Sequence, residues 1–304
     1  MGQVNRLTRS KPCLKDKLNT GRAASSGFGW TSSNWSGYAI SGKKGSYRQI
    51  SADWIVPYVK PTVKPTFSSA WIGIDGFKNS SLIQTGTGHE SVNGKVRYYA
   101  WWEILPASET VIPLPVSPGN HMRASIVKIS PGKWCITLRN LSKCWVFRTV
   151  QRYNGPQSSA EWIVEAPQVG FDIAPLSKLS TVCFTCCQVN GRSPRLKVSD
   201  GGIMIQNKKL LAVPSPPRSC GSAFRSDEFI IKVPLPCIPG TLFIRLPDLP
   251  SCSTHSGPIY PFASSISKKS SGNQAPLLFL LYLIRAADAL PNPSRLESYL
   301  PSPG

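Results

Sequence analysis

The sequence predicts an all-β protein in which many short antiparallel strands form a sandwich or a barrel. Three observations favour this fold class. Apolar and polar residues alternate over short segments, such segments recur about every ten residues, and glycine or proline turns separate several of them. No long segment between residues 30 and 213 combines helical periodicity with helix caps.

The predicted strands can be justified in chain order. Ile50–Val56 is rich in β-formers and stops at a proline, and the short apolar segment Ala70–Ile74 ends at an Asp-Gly turn. Leu82–Thr87 and Lys95–Ile104 flank Asn93-Gly94, a strong hairpin dipeptide. Later strands are expected at His121–Ile129, Lys133–Arg139, Lys143–Val150, Ser159–Glu165, Thr181–Val189 and Gly202–Gln206.

Composition divides the chain into three parts. Residues 1–29 are basic and polar without periodicity, so we expect a disordered leader. Residues 30–233 hold the strands and form the predicted folded domain. Residues 234–304 are expected to be an irregular tail, because 15 of the 28 prolines fall between residues 214 and 304 and proline cannot donate to a central strand.

The formal charge of +20 would suit a nucleic-acid partner, but much of the excess lies in the first fifty residues and no nucleic-acid-binding motif accompanies it. We therefore predict no nucleic-acid function. No apolar run is long enough to span a bilayer, so no membrane function is expected either. The nine cysteines define no disulfide framework, although Cys135 and Cys144 are spaced to bridge a hairpin. With three histidines and no complete ligand motif, neither a metal nor another cofactor is predicted.

Gln84 and Glu161 are the strongest candidates for chemistry. Each is an uncommon polar residue on the apolar face of a predicted strand, and acidic residues are scarce, with nine between residues 51 and 213. A carboxylate and a carboxamide on neighbouring strands can activate a water and hold an oxyanion, which is sufficient to hydrolyse an amide bond. The alternative interpretation of Glu161 is an edge carboxylate that points to solvent.

Five motifs occur in order: Ser33-Asn34-Trp35-Ser36-Gly37, Ala70-Trp71-Ile72-Gly73-Ile74-Asp75-Gly76, Leu82-Ile83-Gln84-Thr85-Gly86, Tyr98-Tyr99-Ala100-Trp101-Trp102-Glu103 and Ala160-Glu161-Trp162-Ile163-Val164-Glu165. Together they resemble the glutamic peptidases, or eqolisins, of the scytalidoglutamic and aspergilloglutamic type. The resemblance covers about residues 30 to 229.

The resemblance implies a concanavalin-like sandwich of two large antiparallel sheets and an acid-acting endopeptidase with Gln84 and Glu161 as its catalytic dyad. It further implies that Trp35, Trp71, Asp75 and Glu103 line the cleft or support the dyad. Protein or peptide substrates, a monomer and an extracellular location are expected on the same basis, although no signal peptide is visible in this chain.

Two other interpretations stay open from the sequence. Tryptophans on a concave sheet also suit sugar stacking, so a carbohydrate-binding or glycan-cleaving sandwich is the first alternative, with Glu103 and Glu161 as its carboxylate pair. A catalytically inactive peptidase homologue is the second. Gln84 discriminates between the enzymes, because glycoside hydrolysis has no evident use for it.

Overall fold

The structure is a computed structural model that describes residues 27–219 and 221–228 of the 304-residue chain. Within these ranges the regular structure is β-strand, apart from one 3-10 turn at Val198–Asp200. The all-β prediction is therefore confirmed. The predicted tail and nearly all of the predicted leader lie outside the described residues, so the domain boundaries stay predictions.

Seventeen strands occur in the described ranges. In chain order they are β1 (Trp30–Ser32), β2 (Trp35–Ser41), β3 (Gln49–Ile55), β4 (Thr66–Ile74), β5 (Ile83–Val92), β6 (Lys95–Ile104), β7 (Thr110–Ile112), β8 (His121–Ser130), β9 (Lys133–Asn140), β10 (Trp145–Arg152), β11 (Ser159–Glu165), β12 (Gln168–Val169), β13 (Asp172–Ile173), β14 (Val182–Val189), β15 (Gly201–Gln206), β16 (Lys209–Pro214) and β17 (Phe224–Glu228).

The long strands form one hydrogen-bonded ladder that folds back on itself. Its order is β10-β9-β8-β3-β14-β17-β16-β15-β2-β11-β4-β5-β6-β7, and β1 joins β15 by the one parallel pairing among the described strands. Contacts of β5 with β8 and β9, and of β11 with β14, bring the two halves face to face. This arrangement is the predicted antiparallel two-sheet sandwich.

The central core fills the space between the two halves. Trp54, Trp134 and Trp162 are fully buried there, and each large aromatic buries roughly 150–250 Å². The two halves are also tied by polar groups: Trp54 Nε1 donates to Thr87 Oγ1 at 3.1 Å, and Trp162 Nε1 donates to the Ser51 carbonyl at 3.2 Å. These bonds satisfy indole N–H groups that would otherwise be buried without partners.

A second apolar cluster covers the outer face of β11, β4, β5 and β6. It contains four further buried tryptophans, Trp30, Trp35, Trp71 and Trp101, together with Tyr99, Leu82, Leu105 and Ile163. An outer sheet face normally alternates to polar residues. Three buried tryptophans thus pack in the central core, and four others lie on this outer face, which is a candidate for a binding surface.

Several strands differ in extent from the sequence-based predictions. β4 begins at Thr66 rather than at Ala70, and β5 ends at Val92 rather than at Thr87. The strand expected at Lys143–Val150 begins only at Trp145, because residues 141–144 form a turn in which Asn140 Oδ1 accepts from the Ser142 and Lys143 amides. The bridge considered between Cys135 and Cys144 is not formed: both are free, Cys135 buried on β9 and Cys144 exposed in that turn.

Candidate active site

Glu161 and Gln84 lie at the same level of the sheet, on either side of β4. Glu161 of β11 and Gln84 of β5 both pair with Gly73 of β4. Because adjacent strands lie about 4.8 Å apart, the two Cα atoms are roughly 10 Å apart and both side chains point to the outer face. A Cβ on Gly73 would lie 2.9 Å from the Trp71 ring and 3.4 Å from the Gln84 Cβ, so glycine keeps the surface between them open.

The oxygen atoms of both side chains are buried and have no hydrogen-bond partner among the described residues. Glu161 and Gln84 are each 0% exposed. Within the described ranges, neither carboxylate oxygen of Glu161 nor Oε1 of Gln84 has a hydrogen-bond partner, and the same holds for Nε1 of Trp35 and of Trp101 on this face. A buried unsatisfied polar group costs roughly 1–3 kcal/mol. Such a grouping is expected where a protein binds a water or a ligand.

Glu103 holds the Gln84 amide. The two residues are directly opposite each other on β6 and β5, and Gln84 Nε2 donates to Glu103 Oε2 at 2.5 Å. A primary amide carries two N–H groups. One is therefore engaged by Glu103, which fixes the plane of the amide, and the second is left for another acceptor.

Trp35 and Trp71 form the aromatic wall beside the dyad. Their rings meet edge to face with centroids 5.0 Å apart. Trp71 Nε1 donates to Glu165 Oε2 at 2.7 Å, and Asn34 Nδ2 donates to Glu165 Oε1 at 3.1 Å. Glu165 was not predicted as a site residue. Strand alternation would have indicated it, because Glu161, Ile163 and Glu165 all point to one face of β11.

Asp75 lies at the end of β4, and its hydrogen bonds within the described ranges go to residues other than Glu161 and Gln84. It follows β4 with a positive φ of 70°. Its buried carboxylate accepts from the Tyr153 hydroxyl at 2.7 Å and from the backbone amides of Gln157 and Ser158 at 2.7 and 2.8 Å. These bonds attach the segment that leads into β11 to the end of β4, and so position the strand that carries Glu161.

The environment favours the neutral form of Glu161. Burial raises the pKa of this carboxyl well above its usual value of 4.5, the nearby Ser159 hydroxyl lowers it, and the negative charge of Asp75 raises it further. The Ser159 hydroxyl does not reach hydrogen-bond geometry with Glu161. Burial also raises the pKa of Tyr47 to about 12, with the charge of Glu161 as the second cause.

The structure thus brings Gln84 together with Glu103, and Trp35 together with Trp71, and places Glu161 across Gly73 from Gln84. In the part of the chain that the structure describes, no group of three or more His, Cys, Asp or Glu side chains is placed to hold a metal ion. The described residues also contain no helix long and apolar enough to cross a membrane.

Comparison with known proteins adds family and fold. A sequence model described as the peptidase A4 family matches residues 33–215, more than half of the chain. The chain belongs to the peptidase A4 family. Aspergillopepsin-2 of Aspergillus niger is 24% identical to it over 198 residues, which are 57% of this chain and 70% of that protein. This peptidase-family chain is accordingly a hydrolase, and the predicted glutamic peptidase resemblance is confirmed.

Solved structures agree with the fold. The scytalido-glutamic peptidase complex with a transition state analog inhibitor matches with a TM-score of 0.56 at 23% identity, over 64% of this chain and 98% of that one. SCP-B, a member of the eqolisin family in complex with the tripeptide Ala-Ile-His, matches with a TM-score of 0.52 at 22% identity and the same coverage. At these identities the likeness establishes a common β-sandwich.

Proposed function

We propose that the chain is an acid-acting endopeptidase in which Glu161 and Gln84 act as a dyad on one water molecule. One observation carries this proposal: a buried carboxylate and a buried carboxamide face the same space across Gly73, and three of their oxygen atoms lack partners among the described residues. Membership of a peptidase family supports the same reaction class.

The proposed mechanism uses one proton twice. Ionised Glu161 takes a proton from the water, whose oxygen attacks the carbonyl carbon of the scissile peptide bond. The N–H of Gln84 that Glu103 does not engage donates to the oxyanion of the tetrahedral intermediate, a role worth about 3–4 kcal/mol. Protonated Glu161 then transfers its proton to the leaving nitrogen as the C–N bond breaks, and the enzyme returns to its starting state.

The alternative glycan-cleaving reading fits the geometry less well. Glu103 and Glu161 lie three strand spacings apart, about 14 Å between Cα atoms, with Gln84 between them. The paired carboxyl groups of a glycosidase flank the scissile bond directly, whereas here the strand that carries Gln84 lies between Glu103 and β4. Glu103 is also committed to the Gln84 amide.

Substrate, assembly and location follow as parts of the proposal. We infer that extended peptides bind along the tryptophan-lined outer face of β4 and β5, and that the protein acts as a monomer. An extracellular location rests on the family resemblance alone.

Digestion of denatured casein between pH 2 and 7 tests the proposal. The wild-type protein should release peptides on the acid side of neutrality, with no loss in the presence of a chelator or a thiol-blocking reagent. Glu161→Gln should abolish release while keeping the melting temperature, whereas the exposed Asp172→Asn serves as the matched control and should keep full activity. Activity in Glu161→Gln would overturn the dyad. An inactive but folded wild type would favour the inactive homologue, and cleavage of a glycan instead would favour the glycosidase.

A further inference from the structure

A strongly basic face lies on the side of the sandwich opposite the dyad. On β3, β8, β9 and β10, residues that face the core alternate with residues that face outward. Five outward-facing side chains are exposed and basic: Arg123, Lys133, Arg139, Arg148 and Arg152. Asp53, which is buried, is the one carboxylate on these four strands. The net charge of this face is therefore well above zero.

Three of the arginines surround a groove that contains hydroxyl groups. Its lining consists of Gln49, Ser51, Arg123, Ala124, Ser125, Thr137, Arg139, Val146 and Arg148. The register explains the arrangement, because Ser51, Ser125, Thr137 and Arg148 follow one another across four adjacent strands. The groove thus has hydroxyls at its floor and guanidinium groups at its walls.

The positive charges of the groove are only partly balanced within the protein. Arg123 is held by Asp53 through two bonds of 2.8 Å, and His121 Nε2 lies 2.9 Å from the same carboxylate. Arg139 is directly opposite Arg123 on β9, and like charges in that position destabilise a sheet. Among the described residues Arg139 has no hydrogen-bond or ion-pair partner.

Arg148 is similarly available. Its Nε donates to the Cys135 thiol at 3.0 Å, a weak acceptor that leaves the charge unbalanced. An anion seated between Arg139 and Arg148 would relieve both the opposed pair and the unbalanced charge.

We propose that this groove binds a tetrahedral oxyanion, the phosphoryl or sulfuryl group of a ligand. Guanidinium groups bind such groups through paired N–H donors. Two guanidiniums without a carboxylate partner among the described residues, Arg139 and Arg148, and three hydroxyls offer more donors than the two oxygens of a carboxylate can accept, whereas a tetrahedral oxyanion offers three or four oxygens. Lys133 and Arg152, which pair on β9 and β10, extend the positive surface beyond the groove.

The groove and the dyad are independent sites. Residues around the dyad and residues around the groove face away from the same core, on opposite halves of the sandwich. Oxyanion binding should therefore leave the rate of peptide hydrolysis at saturating substrate concentration unchanged.

Thermal unfolding in sulfate and in chloride tests the proposal. Sodium sulfate at about tenfold its Kd should raise the melting temperature by about 3–5 °C above sodium chloride of equal ionic strength. Sulfate also stabilises folded proteins nonspecifically, so Arg139→Gln/Arg148→Gln should lose most of that difference and keep only the nonspecific part. The matched control Lys95→Gln/Lys209→Gln removes two exposed charges that do not line the groove and should keep the full difference. Equal sulfate responses in all three proteins would overturn the site.

Two further measurements identify the source of the oxyanion and provide a second variant in case the first does not fold. The first is retention on a sulfated polysaccharide. If the wild type is retained, Arg139→Gln/Arg148→Gln is not, and inorganic sulfate competes, the group belongs to a polymer ester. If the protein responds only to inorganic sulfate or phosphate, the ligand is a free anion. If the glutamine variant does not fold, Arg139→Lys/Arg148→Lys keeps the charge but removes the guanidinium geometry. It should bind the polymer yet lose selectivity for sulfate over chloride, and full selectivity in that variant would overturn the proposal.

Discussion

At the scale of single residues, two side chains of the site are each oriented by a hydrogen bond to a glutamate. Glu103 fixes the Gln84 amide, and Glu165 fixes the Trp71 ring. Glu161 differs from these residues, because both of its oxygens lack partners among the described residues. The side chain that we propose to react with water thus has no hydrogen bond to either of its oxygens in the described part of the chain, whereas Gln84 and Trp71 are each oriented by one.

Removal of the Gln84 amide should slow turnover with little effect on folding. We expect Gln84→Ala to lower kcat at least 100-fold, as loss of an oxyanion donor does. Glu103→Gln should lower kcat about tenfold with a similar KM, because it weakens only the orientation of the amide. Since Glu103 acts through Gln84, the double variant should be no slower than Gln84→Ala. Additive losses in steady-state kinetics would show that Glu103 acts independently.

If Glu161 is the proposed general base, its pKa should set the acid limb of the pH profile. The proposed mechanism needs the ionised carboxylate, and burial raises its pKa well above 4.5. The rise of kcat/KM with pH should therefore lie above pH 4.5. A profile of kcat/KM for a short peptide measures this limb directly. A limb at or below pH 4 would mean that the carboxyl is not desolvated in the free enzyme.

At the scale of elements, the segment between β10 and β11 is fixed to the end of β4 by Asp75. We expect Asp75→Asn to lower the melting temperature, because two backbone amides lose a charged acceptor. It should also move the acid limb of kcat/KM to lower pH, since the negative charge of Asp75 raises the pKa of Glu161. A lower melting temperature with an unmoved limb would give Asp75 a purely structural role.

Strand periodicity located the strands that carry Gln84, Glu103 and Glu161, although the strand of Gln84, predicted at Leu82–Thr87, spans Ile83–Val92. Lys95–Ile104 and Ser159–Glu165 have the predicted bounds, because one face of each is apolar and clear turns precede them. β2, with the sequence Trp-Ser-Gly-Tyr-Ala-Ile-Ser, has weak strand propensity of its own and is defined by pairing with β11 and β15.

The pairing of the site residues was less predictable than their identity. The motifs indicated Gln84 and Glu161 individually, but their juxtaposition depends on the register of both strands with Gly73, which no local pattern encodes. The bond between Asn34 and Glu165 joins residues 131 positions apart, so no local sequence pattern predicts it.

At the scale of the whole molecule, stability should fall on acidification because of His89. Burial lowers the pKa of His89 from 6.5 to about 3, and its ring lies between the hydroxyls of Ser68 and Thr87. Below pH 6.5 the unfolded chain binds a proton that the folded chain rejects, so stability is full above pH 6.5 and is lost as the pH falls toward 3. The expected loss is about 3–5 kcal/mol.

Glu161 contributes the opposite sign, because its raised pKa relieves a burial cost as the pH falls toward 4.5. The loss due to His89 is therefore best measured by urea unfolding of Glu161→Gln between pH 3.5 and 7. His89→Gln in the same background should flatten the curve. An unchanged slope would place the acid-sensitive group elsewhere.

The folded domain should be complete without the predicted tail. We propose that it ends near residues 229–233, since the matched motifs and the described strands precede that point. A chain that ends at Val233 is expected to keep the specific activity and melting temperature of the full chain, because a sandwich of this size has core enough to fold alone. Unfolding or inactivity of the shortened chain would move the boundary toward the C-terminus.

The position of β11 has a consequence for biosynthesis. It lies between β2 and β4, yet it is synthesised more than eighty residues after β4 has left the ribosome. Gln84 exists in the nascent chain long before Glu161 does, and the two meet across Gly73 only when β11 enters the gap. If the proposed dyad carries the activity, a growing chain that has not yet reached residue 161 is inactive, and neither it nor its neighbours are cleaved by it at that stage.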